Sequence, residues 1–273
     1  MKIYVGNINI ENILFSGACF RCIKEDDGSI TNVLKDRVIN LKQKGNYIDV
    51  KSSNYNNLEN ILKEYFDLNR DYDEINNKII NNNPNLKEMI NNCIDYRILN
   101  QDSFEMCISY IISQNNNVKR ISKSIQSLCE LYGDKILFNN KTYYLFPQYD
   151  NLKQLSLEDF RKLGVGFRDK YLIDFIEKYK SLKDINTLST EDALSELMKI
   201  KGIGLKVASC ILLFGYKRLD VFPIDTWVKH YMSEFFNIKE DQKIIEKYAK
   251  ENFKEYSGLI IQYMFHYERN MKD

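Results

Sequence analysis

Two glycines separated by a single residue, Gly202 and Gly204, stand between helical stretches and constrain this chain more than any other feature. The stretch runs Met198-Lys-Ile200-Lys-Gly202-Ile203-Gly204-Leu-Lys206-Val207-Ala-Ser-Cys210 and continues to Pro223-Ile224-Asp225-Thr-Trp227. It predicts a helix ending near Lys199, a tight turn at 202–204, a second helix over 205–216, a loop, and a third helix opening at Asp225. Glycines let backbone N–H groups approach a ligand closely. The second helix begins at the turn, so its unpaired N–H groups and positive dipole end face the same spot. An anion such as phosphate fits there. Lys206 lies in the first helical turn, where cations are disfavoured and a lysine is unusual. The helix advances about 18 Å at roughly 1.5 Å per residue. The loop over 217–224 can reach back about 26 Å, enough to return Asp225 to the level of Lys206.

A chain of 273 residues, 44% of them apolar, can bury a substantial core as one large or two modest domains. Its 39 basic residues nearly balance 38 acidic ones, so a polyanion would have to meet a local basic patch rather than a basic whole. The six cysteines, at 19, 22, 93, 107, 129 and 210, lack the paired-pair spacing of a zinc site. Cys19-Phe20-Arg21-Cys22 is a lone C-x-x-C. Reduced core thiols and a cytoplasmic location are expected. The first residues carry no signal-peptide hydrophobic region. The longest apolar run, over 207–215, is too short to cross a bilayer, so no membrane role is expected.

Residues 1–52 read as strands, with turn signals at Asp27-Gly28 and Lys44-Gly45-Asn46. Beyond 53 the pattern turns helical: 57–66, then a helix opened by Asn83-Pro84. Asp102-x-x-Glu105 reads as a capping box for a helix through Ser113. A further helix over 117–132 stops at Gly133, and 143–147 is a loop or short strand. Ser156-x-x-Asp159 opens another helix, Leu163-Gly164-Val165-Gly166 breaks it, and 168–180 resumes it. The last helices are 241–250 and 257–270. The fold class is therefore α+β. Residues 1–95 form an antiparallel sheet subdomain with flanking helices, and 96–273 are all helical.

The segment from Met198 to Asp225 resembles the helix-hairpin-helix motif, Gly/Pro-rich loop and aspartate of the HhH-GPD superfamily of DNA glycosylases. Three more segments are similar to the 8-oxoguanine DNA glycosylases in it: Phe15-Ser16-Gly17-Ala18-Cys19-Phe20-Arg21, Ser113-Gln114-Asn115-Asn116-Asn117-Val118-Lys119-Arg120, and Leu163-Gly164-Val165-Gly166-Phe167-Arg168. The resemblance spans about residues 12–270. It implies a TBP-like N-terminal sheet and a monomer that acts on duplex DNA carrying a damaged base, near the nucleoid.

The resemblance also implies a role for each residue. Lys206 is the nucleophile that forms a Schiff base, and Asp225 stabilises positive charge developing on the sugar. Gly202, Gly204, Val207 and Trp227 grip DNA phosphate. Backbone carbonyls of Met198, Ile200 and Ile203 would hold a structural cation such as sodium, potassium or calcium. No cofactor is required, and with no cysteine after Cys210 no iron–sulfur cluster is expected. Gly17, Cys210, Ile261, Gln262 and Phe265 line the lesion pocket, where the Gly17 carbonyl meets the N7–H that only the oxidised purine carries. Asn115 fills the gap left by the flipped base, Phe167 wedges the duplex, and Arg120 and Arg168 read an orphaned cytosine. Two departures stand out: Ile261 occupies the place of the family glutamine, with Gln262 one residue late, and Trp227 replaces a histidine. The expected activity is excision of 8-oxoguanine opposite cytosine followed by β-elimination. The alternatives are a different oxidised or alkylated base, or a non-catalytic module that only binds DNA.

Overall fold

Short strands joined by tight turns build the N-terminal sheet. In the computed structural model, which describes residues 1–270, β1 (Lys2–Tyr4), β2 (Ile23–Lys24), β3 (Ile30–Leu34), β4 (Arg37–Lys44) and β5 (Tyr47–Ser52) pair antiparallel in the order β1-β5-β4-β3-β2. Leu41 faces Val50 across the β4–β5 ladder, and both are buried. Ile48 on the same strand face joins them, while the intervening Asp49 carboxylate meets Lys44 at the surface. The apolar face continues into one core with Ile13 and Leu14 of α1 (Ile10–Leu14) and Leu58 and Leu62 of α2 (Leu58–Tyr65). The short helix α1 interrupts a region expected to be strands alone. The Asn9 side chain accepts from the Asn12 N–H at 3.1 Å and caps it.

Helices dominate thereafter: α3 (Tyr72–Asn82), α4 (Lys87–Asn91), α5 (Ser103–Ser113), α6 (Val118–Tyr132), α7 (Tyr149–Leu152), α8 (Leu157–Lys162) and α9 (Asp169–Tyr179). They are followed by α10 (Thr190–Leu197), α11 (Leu205–Gly215), α12 (Thr226–Phe236), α13 (Gln242–Asn252) and α14 (Ser257–Asn270). The second half is not all helix, however. Strands β6 (Lys135–Phe138) and β7 (Lys141–Tyr144) form a hairpin around Asn139 and Asn140, whose φ values of +49° and +60° suit a type I′ turn. The Arg21 guanidinium donates to the Tyr144 carbonyl and ties this hairpin to the N-terminal half.

Capping departs from expectation at one helix. Ser156 and Asp159 make both bonds of a capping box. Asp102 accepts from the Glu105 N–H at 3.0 Å, but the Glu105 carboxylate turns away to face Arg21 at 3.5 Å. Helix α11 is buried from Val207 through Phe214 and packs along α5. A side chain at Gly215 would stand 3.1 Å from the Ser103 Cα, so glycine there lets α5 begin close by. Among the described residues no helix is long and apolar enough to cross a membrane.

Candidate active site

Gly202 has φ +84°, and a Cβ there would come within 2.4 Å of the Tyr171 ring. Backbone conformation and packing thus both demand glycine at the turn. Gly204 is the N-cap of α11 and supplies no side-chain cap, so the first N–H groups of that helix are left for another acceptor. Helix α9 braces the turn: Asp174 accepts from the Lys201 N–H at 2.6 Å, and the Lys178 ammonium donates to the Lys199 carbonyl at 2.9 Å. The Ile200 carbonyl, one of the three implied cation ligands, accepts from the Ile203 N–H at 3.1 Å within the turn. Among the described residues no group of three or more His, Cys, Asp or Glu could hold a metal.

Lys206 is half-buried one turn before Cys210. Burial pushes the Cys210 thiol up to about 11, the Lys206 ammonium and its hydrogen bond pull it back, and the Asp225 charge pushes it further. One buried thiol thus feels both groups, and the loop after α11 does return Asp225 to Lys206. Asp225 is also the N-cap of α12, accepting from the Val228 N–H at 2.9 Å. That bond fixes one carboxylate oxygen and orients the other.

Phe265 lies on α14, and its ring face is covered. Trp227 stacks on it with centroids 4.1 Å apart and continues a ladder through Tyr231 (4.9 Å) to Phe235 (4.2 Å). The Trp227 indole, on the residue to which the resemblance gives a phosphate role, is held between aromatic faces and closes the space over Phe265. Ile261, one turn before Phe265, is 0% exposed. Gln262 points elsewhere, accepting from the Tyr96 hydroxyl at 3.4 Å. The Gln262 amide is thus engaged by a tyrosine from the segment between α4 and α5. Gly17 itself is exposed, with φ +95°.

The loops around Asn115 and Phe167 are fastened together. Asn117 caps α6 through the Arg120 N–H, and the Asn116 amide bonds the Ile112 carbonyl. Asn115 projects outward from a left-handed backbone, φ +46°. Phe167 is 53% exposed and rests edge-on against Tyr171. Arg168 departs from its implied role. It is 7% exposed, and its guanidinium donates to the carbonyls of Gln114, Asn115 and Val165. A residue so engaged is a strut between loops. Arg120 is exposed with no side-chain partner among the described residues, and its charge, after burial itself, weakens the hold of Arg168 on its proton.

Sequence reasoning did not find Tyr171, Asp174 or Tyr96. Tyr171 follows Phe167 by four residues, the one hint that it shares that face; nothing in the sequence shows that its ring covers Gly202.

Residues 1–107 match the family model of the 8-oxoguanine DNA glycosylase N-terminal domain, and residues 108–255 match that of the HhH-GPD superfamily base excision DNA repair protein. The "Probable N-glycosylase/DNA lyase" of Methanothermobacter thermautotrophicus is 30% identical over 198 residues, covering 63% of this chain and 62% of that relative. The match therefore reaches under two thirds of that relative's length. The crystal structure of apo Clostridium acetobutylicum 8-oxoguanine glycosylase/lyase superposes with a TM-score of 0.90 at 35% identity, covering 96% of this chain and 93% of that one. The same enzyme in complex with double-stranded DNA containing cytosine opposite 8-oxoguanine gives 0.90 at 33% identity, with 98% and 94% covered.

Proposed function

Since this chain belongs to the HhH-GPD superfamily of base excision DNA repair proteins, we propose that it is a bifunctional 8-oxoguanine DNA glycosylase and AP lyase acting as a monomer on damaged duplex DNA. The observation that carries this reading is Lys206 in the uncapped first turn of α11, with Asp225 returned to it across Cys210. A glycine-lined helix N-terminus holds the phosphate of the distorted strand. The target nucleotide leaves the stack, which costs a few kcal/mol. Asn115 fills the space and Phe167 wedges the duplex, while Arg120 faces the orphaned cytosine.

Chemistry then needs two groups. The Lys206 amine attacks the sugar C1′ as the bond to the base breaks, and the base departs with the electron pair. The Asp225 carboxylate, fixed by its bond to the Val228 N–H, stabilises the positive charge that develops on the sugar. The resulting imine acidifies the neighbouring C2′ proton, whose loss expels the 3′ phosphate and nicks the strand. No step calls for a cofactor. A cation on the carbonyls of Met198, Ile200 and Ile203 would add only to the phosphate grip.

A second reading, another oxidised or alkylated purine, draws on Ile261, which can neither donate nor accept toward a base edge. Borohydride trapping on duplexes carrying defined lesions tests all of this. Wild type should be trapped on 8-oxoguanine opposite cytosine and Lys206→Gln should not. Preferential trapping on a different lesion would favour the second reading, and binding without trapping would leave a DNA-binding module.

A further inference from the structure

The chemistry of Cys19 and Cys22 lies outside the pocket. Their sulfurs stand 3.1 Å apart, and both residues are half-buried rather than sealed like the other four cysteines. Donors converge on the Cys19 Sγ: the Tyr65 hydroxyl at 3.6 Å, the Asn32 amide at 3.9 Å and the Arg21 backbone N–H. The Arg21 guanidinium is buried beside them; its Nη1 faces the Glu105 carboxylate at 3.5 Å, and neither Nε nor Nη1 makes a hydrogen bond. The Cys22 thiol donating to it holds Cys19 down at about 6, against the opposing effect of burial and with help from the other donors. Burial pushes Cys22 up. Two sulfurs at this distance, with donors aimed at one of them, make the arrangement of a reactive dithiol in which Cys19 is the more acidic partner. Among the described residues no third ligand joins them to make a metal site. A cavity of about 440 Å³ opens on Cys19, bounded by Asn32, Lys35, Tyr65 and Lys217, and gives a small molecule access.

We propose that Cys19 and Cys22 form a redox-active pair that closes to a disulfide on reaction with a hydroperoxide and thereby displaces Gly17. The Cys19 thiolate attacks one peroxide oxygen, the O–O bond breaks, and hydroxide leaves, taking a proton from solvent. The sulfur of the resulting sulfenic acid is attacked by Cys22, which gives up its proton as the S–S bond forms and water departs. Two thiols lose two electrons, and hydrogen peroxide becomes two waters.

The link to Gly17 is mechanical. The Phe15 carbonyl is held by Arg269 at 2.6 Å, the Ala18 carbonyl by Gln101 at 2.9 Å, and Arg21 by the Tyr144 carbonyl. Between the first two anchors Gly17 is exposed, and a Cβ there would meet no atom within 4 Å. A disulfide needs its sulfurs at about 2.05 Å, and forming it also removes the thiolate that Tyr65, Asn32 and Arg21 cradle. Phe20 and Arg21 are buried, so a shift of Cys19 is passed back, and the single Ala18–Gln101 bond is what stands between it and the exposed glycine. The consequence for activity rests on the reading that the Gly17 carbonyl recognises the lesion.

The test treats reduced protein with hydrogen peroxide, then maps peptides after alkylation and measures single-turnover excision of 8-oxoguanine opposite cytosine. A Cys19–Cys22 disulfide should appear, and the rate should fall about tenfold, the worth of one hydrogen bond. A dithiol reductant should reverse both. Cys22→Ser should retain the reduced rate and lose the response; Cys22→Ala replaces it if the serine variant does not fold. Both cysteines still free after peroxide would overturn the redox pair. An unchanged rate with the disulfide formed would overturn the link to Gly17. Reduced protein that excises nothing would refute the glycosylase reading and the link with it, while the peptide map still decides the dithiol.

Discussion

Arg168→Ala separates a strut from a base reader. The guanidinium holds carbonyls on both loops, those of Gln114 and Asn115 on one and Val165 on the other. Hydrogen bonds to a charged group contribute about 1.5–3 kcal/mol each. Asn115 is exposed and Gln114 half-buried, so their carbonyls can be rehydrated and the full sum is not reached. A net loss of about 2–4 kcal/mol follows, and at roughly 2–4 °C per kcal/mol for a chain near this size the melting temperature should drop by about 4–16 °C. Both loops loosen together, so single-turnover excision should weaken by a similar factor opposite cytosine and opposite adenine. Arg168→Lys keeps one donor group without the fork and should recover part of the stability. Arg120→Ala is the comparison. Among the described residues its side chain has no partner to lose, so melting should be unchanged. The preference for cytosine should narrow by about 1–3 kcal/mol. The assay is excision of 8-oxoguanine against each opposite base, alongside thermal melting. An Arg168→Ala protein with unaltered melting and a selectively narrowed cytosine preference would refute the strut.

Other expectations follow from the same geometry. Asp225→Asn should still cap α12, leaving melting nearly unchanged, while excision slows by about 10² or more; an unaffected rate would reduce Asp225 to a cap. Gly202→Ala should cost about 2–4 kcal/mol from the positive φ and the Tyr171 overlap, and Gly202→Ala combined with Tyr171→Ala should recover only the overlap; full recovery in melting would show that φ is unimportant. Ile261→Gln should lower melting of the free protein, since its amide enters a fully buried position, yet raise selectivity for 8-oxoguanine over other purine lesions about tenfold; unchanged selectivity would remove Ile261 from the pocket. Burial raises Glu105 from 4.5 to about 7, so its contribution to stability is fullest below about pH 4.5 and is lost as pH rises through 7. Glu105→Gln should flatten the fall in melting temperature between pH 5 and 8, and parallel wild-type and variant curves would exclude that carboxyl.

The helix-hairpin-helix half of this protein was legible in its sequence because local rules write it. A Gly-x-Gly turn, a lysine in a first helical turn and an aspartate in N-cap position are fixed by neighbours a few residues away. The structure keeps each at its expected place, with α11 and α12 beginning where the spacing put them. Turn signals between short strand-like runs likewise wrote the N-terminal sheet. The β6–β7 hairpin was within reach too, since Asn139-Asn140 suits a turn that needs two left-handed residues. What tertiary structure alone decided is where long side chains end. The Trp227 indole, the Arg168 guanidinium and the Gln262 amide reach partners on other elements: a stacked ring on α14, carbonyls 53 and 54 residues away, and a tyrosine hydroxyl 166 residues away. A flexible side chain takes whichever partner removes it from water with its polar groups satisfied, and that choice is made only when distant segments have packed together.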